Sequence, residues 1–408
     1  MAERNTNSNY GNRKSQVRKE DLYMMTALWM QESPWALKLA TEGENLRVVG
    51  SVFVLPNDRV LSVDCSRRGD HTTVHGAIRP LIKYPDKVKG CQVYLTRKPC
   101  AHCVKMLVQA GVSKVFYLPL KPETDTKENK SVDALFQVSE VSRSFYVPQI
   151  TQKHIQKLKT EKKQPPYGRN ESDVEKQREG TDISTFEKYK KRQEWDKTWF
   201  DDIQEHLDWE EFGDEEIETE VLKDMDDAFK WFCQATFAVG KQGDGNIWKK
   251  YGEESNEFKQ DVAAHLSRLA QMLSNRTDDP NRGVGCVMTI GEEIISIGWN
   301  GFPSKALYGN HPRGSESDIE AGQKYPHVIH AEQNALLCRN QRKLKGSIVY
   351  VNKIPCNDCM SMLYELGVRK VVLPYFKVPP SPAKKSETCF FKLVENPEME
   401  VYGHQLTE

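Results

Sequence analysis

The residues best equipped for chemistry in this chain are His330 and Glu332, separated by Ala331, and the two thiols of Pro355-Cys356-Asn357-Asp358-Cys359. One imidazole and two thiolates are good zinc ligands, and three protein ligands leave the fourth corner of a tetrahedron to water. The metal acidifies that water, so that hydroxide is available near neutral pH. A carboxylate that is not itself a ligand can then carry the water's proton to a substrate and to its leaving group. Glu332 stands where that carboxylate is needed, two residues after the histidine. A structural zinc knot uses similar residues but is normally closed by a fourth Cys or His. No such fourth partner is evident here.

These side chains need a scaffold, and the flanking sequence supplies one. Ser347 to Asn352 reads as a buried strand and Met360 to Leu366 as the helix after it, with Pro355 at the helix start. Thiolates at a helix N-terminus gain from the positive end of its dipole, which favours metal binding. Upstream, Glu257 to Ser274 keeps Val262, Leu266, Leu269, Ala270 and Leu273 at helical spacing and stops before the turn residues Asp278-Asp279-Pro280-Asn281. Gly283 to Ile290 and Ile294 to Gly298 then read as a hairpin turning at Gly291-Glu292.

The first half of the chain repeats this plan. Gly90, Val93, Tyr94, Pro99, Cys100, Cys103, Met106, Leu107, Gly111, Val112, Lys114 and Val115 recur as Gly346, Val349, Tyr350, Pro355, Cys356, Cys359, Met362, Leu363, Gly367, Val368, Lys370 and Val371, each pair 256 residues apart. One constant register marks an internal duplication. His75 precedes Cys100 by 25 residues, as His330 precedes Cys356 by 26, so the first copy has the three zinc ligands His75, Cys100 and Cys103. But its run is His75-Gly76-Ala77, and alanine cannot carry a proton. Ser66 likewise stands opposite Asn300. The expectation is a first copy that is catalytically dead, its zinc structural or regulatory.

Around the two copies, residues 1–20 are polar and expected to be disordered. A helix from Asp21 to about Leu39, interrupted at Pro34, and a hairpin turning at Pro56-Asn57-Asp58 open the first domain, 21–150. Residues 151–232 read as a charged linker carrying Pro165-Pro166, followed by an acidic bridge bearing Trp195, Trp199, Trp209 and Trp231. The second domain is expected over 233–408. The 408 residues carry 58 basic and 58 acidic side chains, so no global positive charge points to stable nucleic-acid binding. Ten cysteines without a secretory signal fit a reducing compartment, and no apolar run is long enough to span a membrane. The expected location is cytoplasmic; Lys188-Tyr189-Lys190-Lys191-Arg192 is a candidate nuclear import patch, although such a short basic run reads more simply as solvated surface.

Taken together, Asp279-Pro280-Asn281, Gly283-Val284-Gly285, Gly298 to Pro303, Lys324 to Glu332 and Pro355 to Cys359 resemble the deoxycytidylate (dCMP) deaminases, closely over about 257–378 and more loosely over about 46–120. The resemblance implies two cytidine-deaminase-like three-layer α/β/α domains with central mixed sheets, each placing its metal ligands at the starts of two adjacent helices. It implies Zn2+ as cofactor, Glu332 as the catalytic proton carrier, and His330, Cys356 and Cys359 as ligands. It also implies that Asn300, with Gly301 and Ala331, contacts substrate, and that the Gly301–Pro303 loop lies near a regulatory nucleotide. Arg282, Lys305, Arg313 and Lys324 are candidate phosphate contacts, although each alone reads more simply as solvated surface. The segment Tyr308 to Gly314 lacks the extra cysteines that some dCMP deaminases carry there, which argues against a second zinc in this domain.

The expected activity is therefore hydrolytic deamination of a free deoxycytidine nucleotide, dCMP or dCTP, by a homo-oligomer. A deaminase acting on single-stranded polynucleotide would use the same metal chemistry but bind with strong salt dependence. A noncatalytic scaffold, with zinc in both copies for stability and the acidic bridge as a docking segment, is the alternative of another class.

Overall fold

The computed structural model describes residues 17–37, 46–68, 73–124, 129–152, 154, 215–237, 247–250, 253–254, 260–279, 283–303, 327–373, 388–395 and 398–405. Arg282, Lys305, Arg313 and Lys324 lie outside the described residues, as do the basic run Lys188–Arg192, the Pro165-Pro166 connector and the tryptophans at 195, 199 and 209.

Each copy builds the same five-stranded unit. In the first, β1 (Gly50–Val54) and β2 (Val60–Cys65) form an antiparallel hairpin; a small ribbon of β3 (Arg67–Arg68) and β4 (Thr73–Val74) follows. β5 (Gln92–Leu95) pairs antiparallel with β1, then β6 (Lys114–Tyr117) and β7 (Ser142–Phe145) add in parallel. In the second, β10 (Gly285–Ile290), β11 (Glu293–Trp299), β12 (Ser347–Val351), β13 (Lys370–Leu373) and β14 (Glu400–Gln405) repeat those pairings. Both hairpins turn on a residue with positive φ, Asp58 at 64° and Gly291 at 56°. Both break register at the same point of the first strand, between Phe53 and Val54 and between Met288 and Thr289. The units meet edge to edge, β2 antiparallel to β11 with Val63 opposite Ile294. The result is one mixed sheet in the order β7-β6-β5-β1-β2-β11-β10-β12-β13-β14-β8-β9, where β8 (Ile247–Lys250) and β9 (Glu253–Glu254) extend the far edge.

The strands are apolar almost throughout because helices cover both faces. On one face, α1 (Lys19–Gln31), α6 (Glu215–Phe237) and α7 (Gln260–Leu273) pack a single core that runs under both units, from Leu22, Met25 and Tyr94 through Phe229 and Phe232 to Leu266, Leu269 and Tyr350. Each such apolar side chain contributes about 1.5–3 kcal/mol by leaving water. On the other face the cores are separate. α3 (Ile78–Lys83), α4 (Ala101–Gln109) and α5 (Asn129–Gln137) cover the first unit, and α8 (Ala331–Cys338), α9 (Asn357–Glu365) and α10 (Thr388–Val394) the second. A further short turn, α2 (Pro34–Leu37), starts at the proline that interrupts the first helix. The boundary expected at 232–233 falls inside α6, whose Phe229, Phe232 and Cys233 all enter the shared core.

Close helix–sheet contact is set by glycine in both copies. A Cβ at Gly50 would overlap the Ala27 carbonyl of α1, and one at Gly285 the Ala270 carbonyl of α7. Between the copies, Trp29 stacks on His265 at 4.9 Å and donates its indole N–H to the His265 carbonyl at 3.1 Å. Arg67 donates to the Glu292 carbonyl at 2.8 Å, Asn340 to the Leu61 carbonyl at 2.8 Å, and Lys83 pairs with Glu293 at 2.7 Å. No disulfide forms among the ten cysteines, and no helix among the described residues is long and apolar enough to cross a membrane.

Candidate functional site

The C-terminal site is assembled from the starts of α8 and α9. His330 caps α8 with extended backbone (φ −77°, ψ 157°), and its N–H is accepted by Gln333 Oε1 at 2.9 Å. α8 lies hard against β11: a Cβ at Gly298 would overlap the Ala331 carbonyl, Ser296 Oγ donates to the Ala335 carbonyl at 2.6 Å, and Asn334 Nδ2 donates to the Trp299 carbonyl at 3.0 Å. Cys356 caps α9 in the same extended conformation (φ −71°, ψ 172°), and Cys359 follows in the first turn. Pro355 thus precedes the cap rather than opening the helix, because Cys356 takes the cap position.

These elements bring His330 Nδ1 to 3.2 Å from Cys356 Sγ and 3.3 Å from Cys359 Sγ. Zinc bonds of about 2.1 Å to nitrogen and 2.3 Å to sulfur at a tetrahedral angle would set N and S roughly 3.5 Å apart, so the donors fit a zinc ion. Among the described residues no fourth His, Cys, Asp or Glu joins this cluster. Hydrogen bonding from Cys359 and His330 holds the Cys356 thiol down at about 4, as a ligand thiolate requires.

Glu332 lies in the first turn of α8, 3 % exposed, with its carboxyl meeting the Cys359 thiol and the wholly buried Cys286 nearby. Burial pushes its carboxyl above the usual range, although its own backbone N–H and His330 pull the other way. A carboxyl raised in this way is suited to accept and return a proton.

Beside the metal donors, Asn300 is 4 % exposed, and its side chain is engaged by the scaffold: Oδ1 accepts the Val284 N–H at 2.7 Å and Nδ2 donates to Asp279 at 3.4 Å. Gly301 bridges to Ile329 by a pair of backbone hydrogen bonds, 3.0 and 2.9 Å, tying the end of β11 to the approach to His330. A side chain at Gly301 would overlap the Asp278 carboxylate, which accepts the Phe302 N–H at 2.7 Å. Ala331 is wholly buried between His330 and Glu332.

The N-terminal site repeats the trace. Cys100 caps α4 (φ −72°, ψ 167°), and His75 Nδ1 lies 3.5 Å from Cys100 Sγ and 3.3 Å from Cys103 Sγ. Ala77, opposite Glu332, is 1 % exposed and brings no polar group. Here, however, a fourth donor is present that sequence reasoning missed. Glu123 Oε1 is 3.0 Å from His75 Nδ1, and its Oε2 accepts the Cys100 N–H at 3.1 Å. The Cys100 thiol and the Glu123 carboxylate facing the imidazole push His75 up to about 10. Glu123 follows β6 in a loop and carries no motif; the position 256 residues on is Pro379, so the repeat could not flag it.

The profile of the cytidine and deoxycytidylate deaminase zinc-binding region matches residues 25–119 and 260–374, once over each unit and over half the chain in all. The chain belongs to this family. It is a family of zinc-dependent hydrolytic deaminases, and the doubled match agrees with the duplicated fold. Among relatives, "Cytidine and dCMP deaminase domain-containing protein 1" of Danio rerio is 25 % identical over 86 % of this chain and 83 % of its own. The deoxycytidylate deaminase of Homo sapiens is 33 % identical over 26 % of this chain and 61 % of its own, and the probable deoxycytidylate deaminase of Caenorhabditis elegans is 39 % identical over 26 % and 52 %. A cyanophage S-TIM5 dCMP deaminase crystallised with dCMP and dUMP aligns to 36 % of this chain and 99 % of its own, at 25 % identity and a TM-score of 0.28.

Proposed function

We propose that the C-terminal unit of this deaminase hydrolyses the exocyclic amine of a free deoxycytidine nucleotide, dCMP or dCTP, giving the deoxyuridine nucleotide and ammonia. The observation that carries the reading is the pairing of three convergent donors, His330, Cys356 and Cys359, with the buried carboxyl of Glu332 and no fourth protein donor among the described residues. His330, Cys356 and Cys359 would hold zinc, which would supply an acidified water. Glu332 would take one proton of a water and give it to the ring nitrogen as the water oxygen bonds to carbon 4, then take the proton of the new hydroxyl and give it to the amino group, which leaves as ammonia as the C–N bond breaks. Asn300 and Gly301 fix the loop beside the pocket, so their contribution to substrate binding is through loop shape as well as contact.

Free nucleotide is favoured over polynucleotide by the chain's zero net charge and by the named activity of its dCMP-deaminase relatives. Phosphate contacts from Arg282, Lys305, Arg313 and Lys324, a regulatory nucleotide beside Gly301–Pro303, and a homo-oligomer complete the reading. The N-terminal unit, with Ala77 in place of the acid/base carboxylate, contributes no turnover of its own. The test is ammonia release and product identity with dCMP, dCTP, deoxycytidine, their ribose counterparts and a cytosine-containing oligonucleotide, each alone. Turnover of one or both deoxynucleotides is expected; turnover of the oligonucleotide alone contradicts the reading. Light scattering with and without nucleotide checks the oligomer, and monomers throughout would remove it.

A further inference from the structure

We propose that Glu123 is the fourth ligand of a closed, structural metal site in the N-terminal unit, completing a set with His75, Cys100 and Cys103. The inference concerns the unit with no assigned chemistry and stands independently of the deamination reading.

The four donor atoms lie within 4.8 Å of one another. Glu123 is 1 % exposed, and its Oε1 has no hydrogen-bond donor although it sits 3.0 Å from His75 Nδ1. A plain ion pair would align an imidazole N–H on that oxygen. Instead the same nitrogen faces two thiols and a carboxylate oxygen at once, at 3.5, 3.3 and 3.0 Å, which is how lone pairs gather around a shared cation. A buried carboxylate oxygen without a partner is costly, and a metal ion offsets that cost.

The backbone around Glu123 is pinned as if to hold it there. Its N–H donates to the Lys98 carbonyl at 3.0 Å, and its carbonyl accepts the Arg47 N–H at 2.8 Å. Arg47 Nη1 donates to the Pro122 carbonyl at 3.1 Å, and Arg97 Nη1 to the Lys121 carbonyl at 2.8 Å. Leu46 bridges Thr124 just beyond. The segment is therefore a strap across the start of α4, delivering one carboxylate to the corner of the tetrahedron that the C-terminal unit leaves to water. An imidazole, two thiolates and a carboxylate fill all four positions around a tetrahedral zinc and leave none for substrate chemistry.

The experiment uses full-length protein. Metal analysis should give two zinc ions per chain, and transfer to a chromophoric chelator should show a fast and a slow phase. Glu123→Ala, or the isosteric Glu123→Gln if alanine impairs folding, should speed the slow phase about tenfold or more. A measurement that needs no change at Glu123 uses Cys356→Ser protein loaded with cobalt. The remaining cobalt spectrum should not respond to azide, because the site has no open position, whereas adding Glu123→Gln should make it respond. One zinc per chain, lost in Cys356→Ser, overturns the proposal. So does a slow phase indifferent to Glu123, or an azide response while Glu123 is intact. Residual turnover in Glu332→Ala that disappears on adding Glu123→Gln would overturn it too, by making Glu123 a proton carrier in a second active centre.

Discussion

Two clusters of metal-type donors share one sheet in this protein, built on the same backbone trace from the same three residue types, and they differ in where the carboxylate comes from. In the C-terminal unit Glu332 enters from the helix that carries the histidine, two residues on, beside the metal position. In the N-terminal unit that place is held by Ala77, and Glu123 arrives instead from a pinned loop, within the donor cluster itself. A carboxylate next to a zinc ion moves protons, while a carboxylate on it fills the position that water needs. On the proposed reading, the entry point of one side chain separates catalysis from structural support.

The largest effects should come from breaking the donors themselves. Cys356→Ser should abolish turnover together with one zinc per chain, while Cys100→Ser should remove the other zinc and lower the thermal midpoint more than it lowers kcat. Metal analysis, calorimetry and initial rates on the two variants side by side check this; equal losses of turnover would erase the distinction between the centres. A step smaller, Gly298→Val forces a side chain into α8 and displaces His330 and Glu332, and should cost about 1–3 kcal/mol of stability and at least ~10-fold in kcat. Gly50→Val makes a clash in the other unit, with α1 on the face away from the donor cluster, and should lower stability with a smaller fall in kcat.

The shared helical layer gives a pH test. Burial, with the nearby Arg268 charge adding to it, holds His265 down at about 3, and its Nε2 has no hydrogen-bond partner. The unfolded chain binds this proton below about pH 6.5 and the folded chain does not, so the histidine's contribution is present above 6.5 and is lost as pH falls toward 3. The slope from one proton is at most about 1.4 kcal/mol per pH unit. His265→Phe should make denaturant midpoints between pH 6.5 and 4.5 fall less steeply than in the parent protein. An unchanged slope would place the acid sensitivity elsewhere. The smallest effect is expected at Lys83–Glu293, a partly exposed pair between the units, where Lys83→Ala should cost about 0–1 kcal/mol in double-mutant cycles.

Much of this was legible from residue order. The constant register of the Cys-containing segments predicted the duplicated unit, and helical spacing in Leu266, Leu269 and Leu273 predicted α7, which runs from 260 to 273. The His, Glu and Cys-x-x-Cys spacing pointed to residues that the fold brings together at two helix starts. Three features were not legible. Glu123 is a lone acid in a loop, brought to His75 by long-range hydrogen bonds that leave no periodicity. The merger of two units into one sheet rests on a single strand edge, β2 on β11, whose sequence reads like any other buried strand. And α6 overlaps the acidic segment that reads as a docking bridge between two domains, whereas its Phe229 and Phe232, one stripe of a charged helix, enter a core that both units share.

The central claim is that one unit turns over substrate through Glu332 while the other holds metal only for structure. It is tested most directly by measuring deoxycytidine-nucleotide deamination and zinc content on the same samples of parent and Glu332→Ala protein. Zinc content should be the same in both, and turnover should fall at least ~10^2-fold in the variant. Turnover that survives at matched zinc content would contradict the central claim.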